Sequence, residues 1–190
     1  MRNYDAESDA LFDVMRLSQA MTYQCGVIGE DYGGAKAVIW GDPATQKSEA
    51  YLRAFGRFIE MTGDRFGTGV DLNLDLQDAA WIARETDRIL CHEASAHSTG
   101  SSGISAALGV FCGIQALAEV AFGTSDLQGK HVALQGAGAL GWPLAEHLHR
   151  AGCQITIADP DPGICQRAQA ELQATIVDPA SIFDVPCDIF

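Results

Sequence analysis

The feature that most constrains the fold lies in the last third of the chain, where strand, glycine turn, helix and acid-tipped strand follow one another without a break. Lys130-His131-Val132-Ala133-Leu134-Gln135 reads as a strand, and Gly136-Ala137-Gly138-Ala139-Leu140-Gly141 opens a helix running to about 151. A second strand over 154–158 delivers Asp159, 21 residues after Gly138. Three glycines alone carry little information, but in this context they form a dinucleotide-binding fingerprint. Gly136 permits a tight turn, Gly138 lets backbone approach a pyrophosphate, and Gly141 allows close helix–strand packing. The helix start presents N–H groups and positive dipole character to phosphate, and Pro143 suits a first turn. Asp159 can accept bonds from both ribose hydroxyls and repels a 2′-phosphate, which favours NAD over NADP. A glycine turn of an α/β fold that holds no nucleotide is the plainer alternative.

Upstream, apolar residues at helical spacing (Leu11, Val14, Met15, Leu17, Met21) predict a helix over 6–23. Glycines cluster at Gly26, Gly29, Gly33 and Gly34, ahead of Lys36 and a short apolar strand over 37–40. A helix over 48–61, a strand over 65–71 delivering Asp71, and a helix over 75–85 follow, then a polar loop over 92–102. The apolar stretch 104–122 carries Gln115 and Glu119, which are costly in a bilayer, so it reads as a buried helix. The turn Gly123-Thr124-Ser125-Asp126 marks the expected domain boundary, dividing 1–122 from 123–190. A helix over 164–172 and a strand over 174–177 come next. Cys187-Asp188-Ile189-Phe190 looks like the start of another strand, and the domain as if cut short there.

The formal net charge of −13 is spread along the 190 residues, with no Lys/Arg-rich run. That balance argues against nucleic acid and anionic membranes as partners. The six cysteines form no CxxC pair and no readable motif makes any of them a nucleophile, which suits free thiols in a reducing cytoplasm. No secretory leader opens the sequence, because Arg2, Asp5, Glu7 and Asp9 interrupt any apolar run. His92 and His97 are poorly spaced for a metal, and no metal site is expected. His131, His147 and His149 carry no assigned role.

The segment Tyr32-Gly33-Gly34-Ala35-Lys36-Ala37-Val38-Ile39 resembles the glycine-rich catalytic-lysine segment of the leucine/phenylalanine/valine dehydrogenases. Gly41-Asp42-Pro43, Arg53-Ala54-Phe55-Gly56-Arg57-Phe58, Glu85-Thr86-Asp87, Leu127-Gln128-Gly129-Lys130, His147-Leu148-His149, Asp178-Pro179 and Cys187-Asp188-Ile189-Phe190 follow in that family's order. The resemblance covers essentially the whole chain. It implies an α/β substrate domain over 1–122, lacking the family's first strands, followed by the first half of a Rossmann-type NAD-binding domain over 123–190. It further implies a cytoplasmic homo-oligomer that deaminates a branched-chain or aromatic L-amino acid oxidatively to the 2-oxo acid and ammonia. Carried over by motif, Lys36 is the general base toward water and Asp71 handles protons at the amino nitrogen. The chemistry suits both types, since an amine shielded by glycine backbone can serve as a base.

Three positions depart from that pattern. Gln24 stands where the family has a second lysine that binds the substrate carboxylate. Ala106 replaces a threonine near the nicotinamide, and Gly33-Gly34-Ala35 replaces the commoner triple glycine. Together with the chain's length, Gln24 and Ala106 leave open a catalytically degenerate NAD-binding or interaction module.

Overall fold

The computed structural model describes residues 1–90 and 102–190. The expected loop over 92–102, with His92 and His97, lies almost wholly outside the described residues. The chain forms two compact units, Met1–Gly100 and Ser101–Phe190.

In the first unit, helix α1 (Glu7–Ile28) runs past the expected end at 23 and stops only at Gly29. Gly26 is tolerated within the helix. Gly29 adopts φ +79°, and its N–H returns to the carbonyls of Cys25 and Gly26. Helix α2 (Glu49–Met61) starts at Ser48, whose hydroxyl accepts from the Tyr51 N–H. Helix α3 (Leu76–Ile82) is nucleated by a capping box, in which the Asp75 and Asp78 side chains each accept from the other's backbone N–H. These two helices meet through Leu52, Ile59, Ala79 and Ile82, all essentially inaccessible. Gly56 makes the approach possible, because a Cβ there would stand 2.7 Å from the Ile82 carbonyl oxygen.

The expected strands over 37–40 and 65–71 are reduced to single parallel bridges, Arg2 with Trp40 and Thr68 with Ile89. Arg65 closes a short 3-10 turn (Gly63–Arg65), and Phe66 after it is extended at φ −145°, ψ 120°. A strand needs a ladder of neighbours, and here each finds one bridging residue. Ile39 and Ile89 still bury their side chains with Leu52 and Ile82.

The second unit opens with α4 (Ser102–Phe122). It continues through β1 (His131–Gln135), α5 (Gly141–Arg150), β2 (Gln154–Ala158), α6 (Pro162–Leu172) and β3 (Thr175–Ile176). The strands form a parallel sheet in the order β1-β2-β3. On the free side of β1, Ile189 bridges Val132 in parallel, with the Ala133 N–H donating to the Ile189 carbonyl at 2.9 Å. Strand alternation sends Val132, Ile155 and Ile157 toward Leu144, Leu148 and Ala168, and Ala133 and Ala158 toward Ile182 on the other face.

Helix α4, expected within the first domain, groups with the second unit, since Ala107 and Ala118 sit in the same core as β1 and α5 and Phe111 stacks on His147. The expectation that this helix is buried fails. Only Ala107 and Ala118 are buried, while Ile104, Leu108, Leu117 and Val120 stay exposed. One face of α4 packs on α5, and within the second unit Gly103 also lies against the Ala139 backbone and Lys130 over the Phe122 ring. Among the described residues it is the one helix long and apolar enough to cross a membrane, by length and composition only.

Candidate active site

The glycine-rich segment after α1 forms no regular element and lies against that helix at Gly34. A Cβ at Gly34 would overlap the Thr22 backbone, and the Gly34 N–H donates to the Thr22 hydroxyl at 2.9 Å. Gly33 has nothing within 4 Å of an added Cβ, so only Gly34 is sterically compelled. Docking at Gly34 fixes where the chain leaves α1 and brings Lys36 alongside Asp71.

The Lys36 ammonium donates to Asp71 Oδ2, with the lysine side chain 25% exposed and the aspartate 58%. Burial alone would push the Asp71 carboxyl up, but the Lys36 bond, the Leu72 N–H and the Lys36 charge outweigh it. The group is held below the ordinary carboxylate range. The loop carrying Asp71 is a tight turn, with the Leu74 N–H donating to the Asp71 carbonyl at 2.8 Å and the Leu72 N–H to Asp71 Oδ1 at 2.7 Å.

A cavity of about 250 Å³ opens onto this pair, its walls including Met21, Ile39, Phe55, Phe66 and Leu74. An ion pair at the edge of an apolar hollow suits a small ligand with a polar head and an apolar side chain. Gln24 lies one turn beyond Met21 on α1, exposed and outside the cavity wall. The structure therefore brings Lys36 and Asp71 together and leaves Gln24 apart. Ala106 is exposed on α4. Sequence reasoning missed Thr22, Phe55 and Phe66, whose types are ordinary for a helix face and a core. It also missed Lys47 and Asp78; there the Asp75-x-x-Asp78 spacing was a legible capping signal.

In the second unit the glycine turn closes on itself. Gly136 has φ +86°, and its N–H donates to the Ala158 carbonyl at 2.8 Å. A Cβ at Gly141 would overlap the Gly136 carbonyl oxygen, so its glycine serves the turn itself more than helix–strand packing. Gly138 has nothing within 4 Å of an added Cβ, which leaves open space over the turn. Ala137 is buried, Ala139 and Leu140 are exposed, and α5 begins without a side-chain cap. Asp159 stands at the end of β2, accepting from the Ala137 N–H at Oδ2 and the Asp161 N–H at Oδ1, both at 2.8 Å.

Residues 1–88 match the Glu/Leu/Phe/Val dehydrogenase dimerisation domain, and the likeness to individual dehydrogenases runs through the whole chain. The chain belongs to the Glu/Leu/Phe/Val dehydrogenase family. Within it, all 190 residues align at 40% identity with leucine dehydrogenase of Bacillus cereus, covering 52% of that protein. Phenylalanine dehydrogenase of Bacillus thermotolerans aligns at 36% identity, with 51% of it covered. Among solved structures, L-tryptophan dehydrogenase from Nostoc punctiforme superposes with a TM-score of 0.64 at 35% identity. That match spans 97% of this chain and 51% of the other. The chain thus spans about half the length of the relatives it matches.

Proposed function

We propose that this chain carries the substrate site and the first part of the nucleotide site of an NAD-dependent amino-acid dehydrogenase. The reaction is oxidative deamination of a branched-chain or aromatic L-amino acid to its 2-oxo acid and ammonia. The observation that carries the reading is the Lys36–Asp71 pair on the wall of an apolar cavity. The leucine, phenylalanine and tryptophan dehydrogenases among its relatives agree with a substrate that has an apolar side chain.

The glycine turn fits the pyrophosphate of NAD. The space over Gly138 admits phosphate oxygens, and the α5 start points its dipole there. Each Asp159 oxygen accepts one backbone N–H and keeps a lone pair for a ribose hydroxyl. The sheet order, β3-β2-β1 and then the segment at Ile189, matches the first four strands of a Rossmann sheet. NAD, when bound, supplies the acceptor for the hydride on the substrate α-carbon.

Lys36 takes a proton from the water that adds to the α-carbon at its imine stage. Asp71, kept ionised by its neighbours, accepts a proton from the substrate ammonium and later returns one to the departing nitrogen. The apolar cavity wall excludes competing water around the side chain. The same reading makes the protein a cytoplasmic homo-oligomer with no nucleic-acid or membrane partner.

Purified chain tested for amino-acid-dependent NADH formation, with Lys36→Ala alongside, checks the proposal. A second reading, a degenerate NAD-binding module, is favoured by the exposed, uncharged Gln24. Turnover by the wild-type chain removes it.

A further inference from the structure

The loop that presents Asp71 is tied to an ion pair whose carboxylate is buried and whose ammonium is partly exposed. Asp78 is 3% exposed at its side chain, and Lys47 Nζ lies 2.8 Å from its Oδ2. The same ammonium donates to the Asn73 carbonyl at 3.1 Å. Asn73 stands in the left-handed region at φ +62°, and its amide donates to the Met1 carbonyl at 3.0 Å. Asp78 Oδ2 also accepts from the Asp75 N–H at 2.9 Å, while Asp75 Oδ1 accepts from the Asp78 N–H at 3.0 Å. Both ends of the five-residue segment from Asp71 to Asp75 are thereby tied, one by the turn bond to Leu74 and the other by Asp78.

A buried carboxylate is costly unless it is paired, so this arrangement is strongly determined and deletion of either partner is felt. Its effect reaches the site through Asn73, whose carbonyl would otherwise face solvent in a strained turn.

We infer that Lys47 and Asp78 are positioning residues that set the Asp71 carboxylate against Lys36, acting through the Asn73 carbonyl and touching no substrate themselves. The inference rests on Asp71 having the role proposed above. Lys36 and the chain's amino group act on Asp71 by charge, and Lys47 and Asp78 lie close by, acting on that same amino group.

The test follows the Asp71 carboxyl by ¹³C NMR titration in the full chain, assigned by its loss in Asp71→Asn. In Asp78→Asn, charge and position oppose each other. Removing a negative neighbour lowers the Asp71 midpoint, whereas freeing the loop weakens the Lys36 bond and raises it. The inference expects a rise, and a fall or no change overturns it. Lys47→Met is the second variant, measured in 1 M salt, where the Debye length is about 3 Å and direct charge effects are screened. A rise that persists in salt supports positioning, and a rise that salt abolishes overturns it. These readouts need no turnover. A dehydrogenase role that fails for Asp71 is seen separately, as activity retained in Asp71→Asn.

Discussion

Lys36 and Asp71, 35 residues apart in sequence, share a hydrogen bond at the mouth of an apolar cavity. Gly34 makes this possible by letting the chain lie directly on the backbone of α1. The pair sets an amine beside a carboxylate held ionised, and in the proposed proton transfers Lys36 acts as a base only after giving up the proton it shares with Asp71.

Removing the amine removes the base. Lys36→Ala is expected to lower amino-acid-dependent turnover by roughly 10²–10⁴-fold, the usual worth of a general base. NAD binding, followed by fluorescence quenching, is expected to stay unchanged.

The Asp71 carboxyl lies below the ordinary value of 3.8. A depressed carboxyl contributes stability that is present above its unfolded value and lost as pH falls through its folded value. Stability is therefore expected to decline as pH is lowered below about 4. Asp71→Asn flattens that part of the profile, and chemical denaturation at stepped pH measures the difference.

The two helix-side glycines of the turn separate structure from binding. Gly141→Ala forces backbone overlap with Gly136 and is expected to cost about 1–3 kcal/mol, seen as a lower thermal midpoint. Gly138→Ala meets no protein atom, so the midpoint holds while NAD affinity falls.

Gln24→Lys returns the second lysine of the family pattern to α1, one turn beyond Met21 of the cavity wall. A charge-assisted bond is worth about 1.5–3 kcal/mol, so kcat/KM for ordinary amino acids is expected to rise roughly tenfold or more. Steady-state kinetics on leucine and phenylalanine measure the change.

The second unit was the more legible part of the sequence. Strand, glycine turn, helix and Asp159 are contiguous, so local pattern alone located β1, α5 and β2 within a residue or so. The strands expected over 37–40 and 65–71 were apolar enough, but a strand depends on partners that local pattern does not contain, and each found a single bridge. Helix α4 misled for the converse reason: its composition reads as core, yet burial depends on what surrounds it, and only Ala107 and Ala118 are covered. Lys36 and Asp71 were reached through motif resemblance, while the pairing of Lys47 with Asp78 was not legible, because the capping spacing marks Asp78 only as a helix-start residue and its contact with Lys47 spans 31 residues.

The most direct measurement is NADH formation by the purified chain with a panel of aliphatic and aromatic L-amino acids at alkaline pH. The proposed function predicts amino-acid-dependent NADH from the wild-type chain, and from Lys36→Ala a rate lower by roughly 10²–10⁴-fold. A folded, NAD-binding wild-type chain that forms no NADH, or Lys36→Ala turnover at the wild-type rate, would contradict it.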